Sequence, residues 1–410
     1  MEHTPVQSTG NNLSKYDMKN QIKEERTQFF PLSLYHSFES PFVVEKASDF
    51  YYYSPENKEP YIDLYNNVCH IGHSNERVLE AVKKAYSTIN IHTRYFQENL
   101  TKYVKHLQKY LPDGYKILFT NSGSESNDLA LQIALRHSGP HQRFQIGSFK
   151  RSYHGTTWLC SQISHLTPTG VVDTYEKDMD VTFFDPEKSE KELDEYPEIK
   201  SFILETFQGV GGNQEISNEW LQKIREKVKI MICDEVQTGF GRTGNTFWAF
   251  QKANILPDII TCGKPIANGY PMGACIFRKE LEQYIPSTYF NTFGGNSVSC
   301  QVAKVVLEEL EEKKLQENSK ELGEYLKKEL LDYEDDIVKV TGSGLYLGVH
   351  FSEKINVKEM VERLKDHHFI VGIGYNNILR IKPPMTITKE AIDKFVQTVG
   401  FILICMANKK

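Results

Sequence analysis

Short apolar runs recur through the middle of the chain, each followed by a polar loop and several by a helical pattern. KILFT (116–120) precedes a helix over 125–137, FQIGS (144–148) precedes a loop, and FILET (202–206) precedes a helix over 218–228. IMICDEV (230–236), DIITCGK (258–264) and GACIF (273–277) read as further buried strands. Near-continuous apolar strands interleaved with helices predict an α/β fold whose mainly parallel sheet is covered on both faces. Upstream, YYYSPENKEPYIDLYNN (51–67) predicts strands interrupted at Pro55 and Asn57. Val78, Leu79, Val82, Ala85 and Tyr86 then mark one face of an amphipathic helix, with Ser74 as its expected N-cap. Past Gly295 the texture changes. A long charged helical region (about 298–332) leads into alternating Leu345, Leu347, Val349 and Phe351, then ILRIKPP (378–384) and a final amphipathic helix. That pattern predicts a smaller α+β domain with an antiparallel sheet.

Composition narrows the class without sharpening it. The 410 residues suit two domains, and 40% hydrophobic with 25% charged residues excludes a disordered or fibrous chain. A net charge of -6 gives no footprint for nucleic acid, and no run of 18 apolar residues points to a membrane. Seven scattered cysteines, odd in number, read as reduced thiols, so a cytoplasmic setting is expected. Residues 1–25 are polar and aperiodic, which predicts a flexible arm; their four acidic residues make a poor mitochondrial presequence.

Four segments can carry chemistry. FTNSGSESND (119–128) runs from a strand into a small, glycine-bearing turn that opens a helix, where free N–H groups can hold an anion; an ordinary capping turn reads equally well. In ICDEVQTGFGRTG (232–244), Asp234 ends an apolar strand, a costly place for a carboxylate without a cation; a helix cap or a surface ion pair is the plainer reading. Gly239, Gly241 and Gly244 also spell G-x-G-x-x-G, with Asp258 at a ribose-binding spacing, but they do not follow the strand directly and bulky FWAFQ comes next. In DIITCGKPIANG (258–269), Lys264 sits in a turn after a buried strand, where desolvation would make its amine a nucleophile; most lysines are simply solvated. YFNTFGGNSVSC (289–300) offers the Thr292 hydroxyl and bare backbone at Gly294 and Gly295. His70 and His73 in HIGH tempt a metal reading but lack a third ligand nearby, so no metal is expected.

Taken together, NSGSESN, YHG, DEVQTGFGR, GKPIANGYP and NTFGGN stand in the order and spacing of the class III pyridoxal-phosphate (PLP) aminotransferases, and the chain resembles that family from about Tyr51 onward. NTFGGN and LRIKPPM look most similar to the branch of alanine–glyoxylate aminotransferase 2 and the ethanolamine-phosphate phospho-lyases. The resemblance implies fold type I: a large domain (61–297) with a mainly parallel seven-stranded sheet and a small α+β domain (298–410), against which 26–60 packs. It implies pyridoxal 5′-phosphate as cofactor, Lys264 as Schiff-base lysine and proton shuttle, and Asp234 at the pyridine nitrogen. Gln237 matches the residue near the phenolic oxygen, Val236 and Tyr153 the contacts on the two ring faces, with His154 following, and Gly123 and Ser124 the phosphate donors. Thr292 matches a phosphate ligand given by the neighbouring subunit, which implies a homodimer, or a tetramer built from one. Arg380 matches the arginine that pairs with a substrate carboxylate.

Glu205 opens ETFQGVGG, where Thr206 replaces the family's usual Pro and Val210 stands where many members carry a second glutamate able to mask the arginine. Its absence predicts an open Arg380. The expected reaction is transfer of an amino group from an amino acid or amine to an oxo acid; the alternative is phospho-lyase elimination on a phosphorylated amine such as ethanolamine phosphate.

Overall fold

The computed structural model describes residues 15–31, 38, 42–139, 143–167, 170–171 and 179–407. The first element, α1 (Lys15–Phe29), is a helix where a flexible arm was expected over 1–25; residues 1–14 lie outside the described ones. The stretch KYDMKNQIKEERTQF holds no Gly or Pro and is rich in straight-chain Lys, Gln, Glu and Arg, which lose little freedom in a helix. Gln21 Nε2 donates to Glu25 Oε1 at 2.8 Å along one face, and Lys19 pairs with Glu56 at 3.2 Å.

The second helix, α2 (Glu76–Thr88), is capped by Asn75, whose side chain accepts from the N–H of Val78; Ser74 instead adopts a left-handed φ of 49° and donates to the carbonyl of Ala47. The expected cap is therefore off by one. Its apolar stripe is split, because Val78 and Val82 pack on the core whereas Leu79 and Tyr86 are exposed.

Seven strands build the large sheet: β1 (Tyr115–Thr120), β2 (Gln145–Phe149), β3 (Asp180–Phe184), β4 (Ser201–Glu205), β5 (Ile230–Asp234), β6 (Ile259–Cys262) and β7 (Gly273–Arg278). Their order is β1-β7-β6-β5-β4-β2-β3, with only β7 running against its neighbours. The period-two geometry of a strand explains why each run is apolar throughout. Phe202, Leu204, Met231, Cys233, Ile260 and Ile276 point into the core on one face, while Ile203, Ile230, Ile232, Ile259, Cys275 and Phe277 join a second core on the other. α3 (Gly123–Ser138) lies on that second face through Leu129, Ala130, Ile133 and Ala134.

The charged stretch after Gly295 forms two helices, not one: α4 (Ser297–Glu312) and α5 (Leu315–Leu331), broken where Lys314 takes a left-handed φ of 50°. Beyond them lies an antiparallel sheet of β8 (Ile337–Gly342), β9 (Leu347–Phe351), β10 (Gly372–Gly374) and β11 (Ile378–Ile381), in the order β8-β9-β11-β10, with the terminal helix α6 (Lys389–Ala407) packed on it. The N-terminal strand Tyr61–Asp63 pairs in parallel with Phe369–Ile370, and Phe50, Tyr61, Ile62 and Leu64 share the small domain's core. Among the described residues no helix is long and apolar enough to cross a membrane.

Candidate active site

Parallel strands leave their carboxyl ends at one edge, and it is there that open α/β sheets place their ligands. Glu205, Asp234 and Thr261 stand side by side at the ends of β4, β5 and β6 in register. In front of them a cavity of about 300 Å³ is lined by Gly123, Ser124, Tyr153, His154, Glu205, Asp234, Val236, Gln237 and Lys264. Nine residues named from the sequence, spread over more than 140 positions, thus face one space. Arg380 lines the adjoining cavity of about 870 Å³, which also touches Tyr153, Gln237 and Lys264. Thr292 lies in neither; it is exposed on the surface of its own chain.

At one end the site is shaped for an anion. Ser122 caps α3, its hydroxyl taking the N–H of Glu125, and among the described residues no protein acceptor takes the N–H of Gly123 or Ser124. A Cβ on Gly123 would come within 2.7 Å of both Val236 methyls, and one on Gly263 would meet the Gly123 nitrogen at 2.9 Å. Gly155, at a φ of 126°, presses the YHG loop onto Ser124 so closely that a Cβ would sit 2.4 Å from its Oγ.

Asp234 is buried, and its Oδ2 accepts from Asn127 Nδ2 at 2.7 Å and from His154 Nδ1 at 2.8 Å, while Oδ1 accepts from the N–H of Val236 at 3.1 Å. Asn127 was missed by sequence reasoning. The signal was present, since it falls four residues after Gly123, one turn along the same helix face. Glu205 accepts the backbone N–H groups of Tyr153 and Gly209 at 3.0 and 2.9 Å; burial, with the nearby Asp234 charge, raises its pKa. The Gln237 carbonyl takes three donors, from Lys382 Nζ (2.9 Å), Asn67 Nδ2 (3.2 Å) and Tyr346 Oη (3.3 Å). These three were also missed, although Lys382 alternates with Arg380 in LRIKPP.

Lys264 follows β6 and Gly263 at a φ of 37°, a strained conformation for a residue with a side chain. Its amine forms no hydrogen bond or ion pair among the described residues. Burial depresses its pKa, and Arg380 adds to this, against the pull of Asp234 and Glu205. Arg380 is buried and donates to Asn213 Oδ1 at 3.3 Å, with the Tyr346 hydroxyl also in hydrogen-bonding reach and Val210 lining the same cavity.

The other candidates are structural. His70 bridges Arg242 Nη2 (2.9 Å) and the carbonyl of Phe240 (2.8 Å), and His73 pairs with Asp63 (2.8 Å); among the described residues no His, Cys, Asp and Glu group could hold a metal. Gly239, Gly241 and Gly244 lie in turns packed against Trp248, Gln316 and Lys320 and open no helix, and Asp258 is held by Arg225 and Arg278.

A ring bearing a phosphate and an aldehyde fits this donor set. Free N–H groups with no room for a Cβ suit the phosphate, a carboxylate fixed by three donors suits a protonated ring nitrogen, and an unpartnered amine suits the aldehyde.

Comparison with known proteins agrees. The family model for class III aminotransferases matches residues 35–403. The alanine–glyoxylate aminotransferase 2-like protein of Drosophila melanogaster is 31% identical, the match covering 88% of this chain and 82% of that one. Ethanolamine-phosphate phospho-lyase homolog 1 of Caenorhabditis elegans is 29% identical, with 90% of each covered. Among solved structures, an Arthrobacter phospholyase in complex with phosphoethanolamine superimposes with a TM-score of 0.85 at 26% identity, over 92% of this chain and 98% of that one. The chain belongs to the class III aminotransferases, pyridoxal-phosphate enzymes of fold type I.

Proposed function

We propose that the protein is an aminotransferase that moves an amino group from an amino acid or amine donor to an oxo-acid acceptor, with Lys264 and Asp234 as catalytic residues. Pyridoxal phosphate supplies an aldehyde that takes the amine and a ring that accepts negative charge. Asp234 is the partner of the ring nitrogen, kept in place by Asn127 and His154. Lys264 would hold the cofactor's aldehyde and would serve as the base for the substrate's α-proton, a role its depressed pKa suits. Gly123 and Ser124 give backbone N–H groups to the phosphate, Gln237 serves the phenolic oxygen, and Val236 and Tyr153 bound the ring, with Glu205 bracing the Tyr153 loop. Arg380 receives a substrate carboxylate through its planar fork.

The observation that carries this reading is the Lys264 amine, unpartnered among the described residues, sharing a cavity with Asp234 beside an Arg380 that no described carboxylate masks. A second copy is part of the proposal, since Thr292 is exposed between the exposed rings of Phe290 and Phe293 in the chain, and Tyr95 and Phe96 are exposed as well, apolar surface suited to a homodimer partner. A cytoplasmic setting is proposed as well; all seven thiols are free. The test is holoenzyme incubated with a panel of amino donors and pyruvate or glyoxylate. Turnover that requires the oxo acid, and is lost by about 10²-fold or more in Lys264→Ala, supports the proposal; no such turnover with any donor sinks it.

A second reading is favoured by the phospholyase relatives: elimination of phosphate from a phosphorylated amine, with water completing the products to an aldehyde, ammonia and inorganic phosphate. Phosphate release from phosphoethanolamine without any oxo acid would select it.

A further inference from the structure

After β4 the chain makes a hairpin, pairing Phe207–Gln208 with Gln214–Glu215. Its loop, 209–213, carries Val210 to the larger cavity and reaches across to the small domain. There the Val210 carbonyl accepts from the N–H of Tyr375 at 3.0 Å, and the Gly212 carbonyl from Thr341 Oγ1 at 3.3 Å. Asn213 ends the loop. It is fully buried and holds a left-handed φ of 55°, which asparagine and glycine tolerate better than other residues.

The Asn213 amide fits only one way round. Its Nδ2 donates to the Leu347 carbonyl on β9 at 2.9 Å, and its Oδ1 accepts from Arg380 Nε on β11 at 3.3 Å. A carbonyl can only accept and a guanidinium only donate, so flipping the amide would break both bonds. Leu347 and Arg380 belong to neighbouring strands, in register with Ile381 and Gly348. One side chain of the large domain thus ties two strands of the small one and sets where the guanidinium stands.

The rest of Arg380 is restrained by groups without charge. A Cβ on Gly374 would lie 2.8 Å from its Cδ, so the stem runs against bare backbone. The guanidinium lies over the Tyr65 ring at 5.7 Å, and the Tyr346 hydroxyl is in hydrogen-bonding reach. Buried cations are ordinarily paired, because a lone one costs several kcal/mol to desolvate. Here no described carboxylate pairs with Arg380, and Val210 offers none from the loop. With its Nε–H taken by Asn213, the two-pronged edge left to an incoming carboxylate is the terminal Nη pair.

We infer that Asn213 is a positioning residue, which holds Arg380 in one unmasked pose with its terminal nitrogens open to a ligand. This rests on the proposed reading of the site, in which Arg380 receives a substrate carboxylate.

Calorimetric titration of the holoenzyme with propionate reads that pose without turnover. Asn213→Gly keeps the left-handed backbone and removes the amide. Asn213→Asp keeps the size, offers Arg380 a carboxylate and gives up the donor to Leu347. Propionate affinity is expected to fall about tenfold or more in both, with pyridoxal-phosphate retention unchanged. Arg380→Met should fall as far, and adding Asn213→Gly to it should cost nothing further, the mark of a residue that acts through Arg380. In turnover, both Asn213 variants should raise the KM for pyruvate and spare kcat. Native propionate affinity in both variants would overturn the inference. So would a further loss in the double variant, or loss of fold or cofactor in both single variants, which would make Asn213 structural. Propionate binding that depends on Asn213, in a holoenzyme with no turnover of any donor, would sink the transamination proposal and leave this one standing.

Discussion

Asp234 is useful only because Asn127 and His154 hold one of its oxygens from two different elements, a helix and a loop. His154 is itself tied to Ser148 through its other nitrogen at 3.3 Å, so its ring cannot swing away freely. These are positioning residues, and hydrogen bonds to a charged group are worth about 1.5–3 kcal/mol each. Replacing either one (Asn127→Ala or His154→Phe) is expected to weaken pyridoxal-phosphate retention by roughly 10–100-fold, with the fold intact by circular dichroism. Unchanged cofactor affinity in both variants would show that Asp234 needs no such support. At this scale the sequence spoke unevenly. Asp234 and Lys264 stood out by position, as polar groups at the ends of apolar strands. Lys382 and Asn127 did not, because their meaning comes from what faces them: a carbonyl on Gln237, a carboxylate at the end of β5. The left-handed backbone of Lys264 leaves no mark in the sequence at all, since Asn, Asp or Gly would have been the usual signals for it.

Elements were legible where burial on both faces forces a strand to be apolar throughout, as in β4, β5 and β6. The edge strand β3 was not; Asp180–Phe184 has one covered flank and only Phe184 is fully buried. Helix breaks carried by backbone shape alone were equally silent, so α4 and α5 read as one charged stretch. Gly323 shows why α5 must lie where it does. A Cβ there would come within 2.2 Å of the Gly344 backbone, so the helix and the loop before β9 touch main chain to main chain. Gly323→Ala is expected to cost about 1–3 kcal/mol in chemical denaturation despite the better helix propensity of alanine; a gain in stability would mean the loop yields. Another element-level link is His73, which ties the start of α2 to Asp63 of the N-terminal strand. Burial works against its charge, but the contacts with Asp63 and Cys69 outweigh it and lift the pKa from 6.5 to about 9. A folded pKa above the unfolded one stabilises fully below about pH 6.5 and is lost as pH rises through about 9. The melting temperature should therefore drop between pH 6.5 and 9 more steeply in the native protein than in His73→Gln, and parallel curves would remove His73 from the account.

At the scale of the whole molecule, the large sheet brings nine candidate residues to one cavity in a single chain, yet leaves Thr292 outside it. Two residues before it, Phe290 meets His92 edge-on and lies under Arg94 at 4.1 Å, and His92 stacks on Tyr95 at 5.2 Å. Leaving Phe96 and Phe293 in water wastes apolar burial worth about 1.5–3 kcal/mol apiece, and the proposed second copy would cover them and give Thr292 a phosphate to hold. Sedimentation should then show twice the chain mass, shifting toward the single chain in Phe96→Asp/Phe293→Asp. In the proposed dimer each site draws Lys264 from one chain and Thr292 from the other, which has a sharper consequence. Lys264→Ala and Thr292→Ala homodimers each have every site damaged. A mixed dimer has one site with both defects and one with neither, because the chain that keeps Lys264 faces the chain that keeps Thr292. Refolding the two variants together should restore native cofactor affinity and turnover in that site. If the mixture behaves only as the average of its parents, Thr292 serves its own chain or none, and the shared-site dimer is wrong.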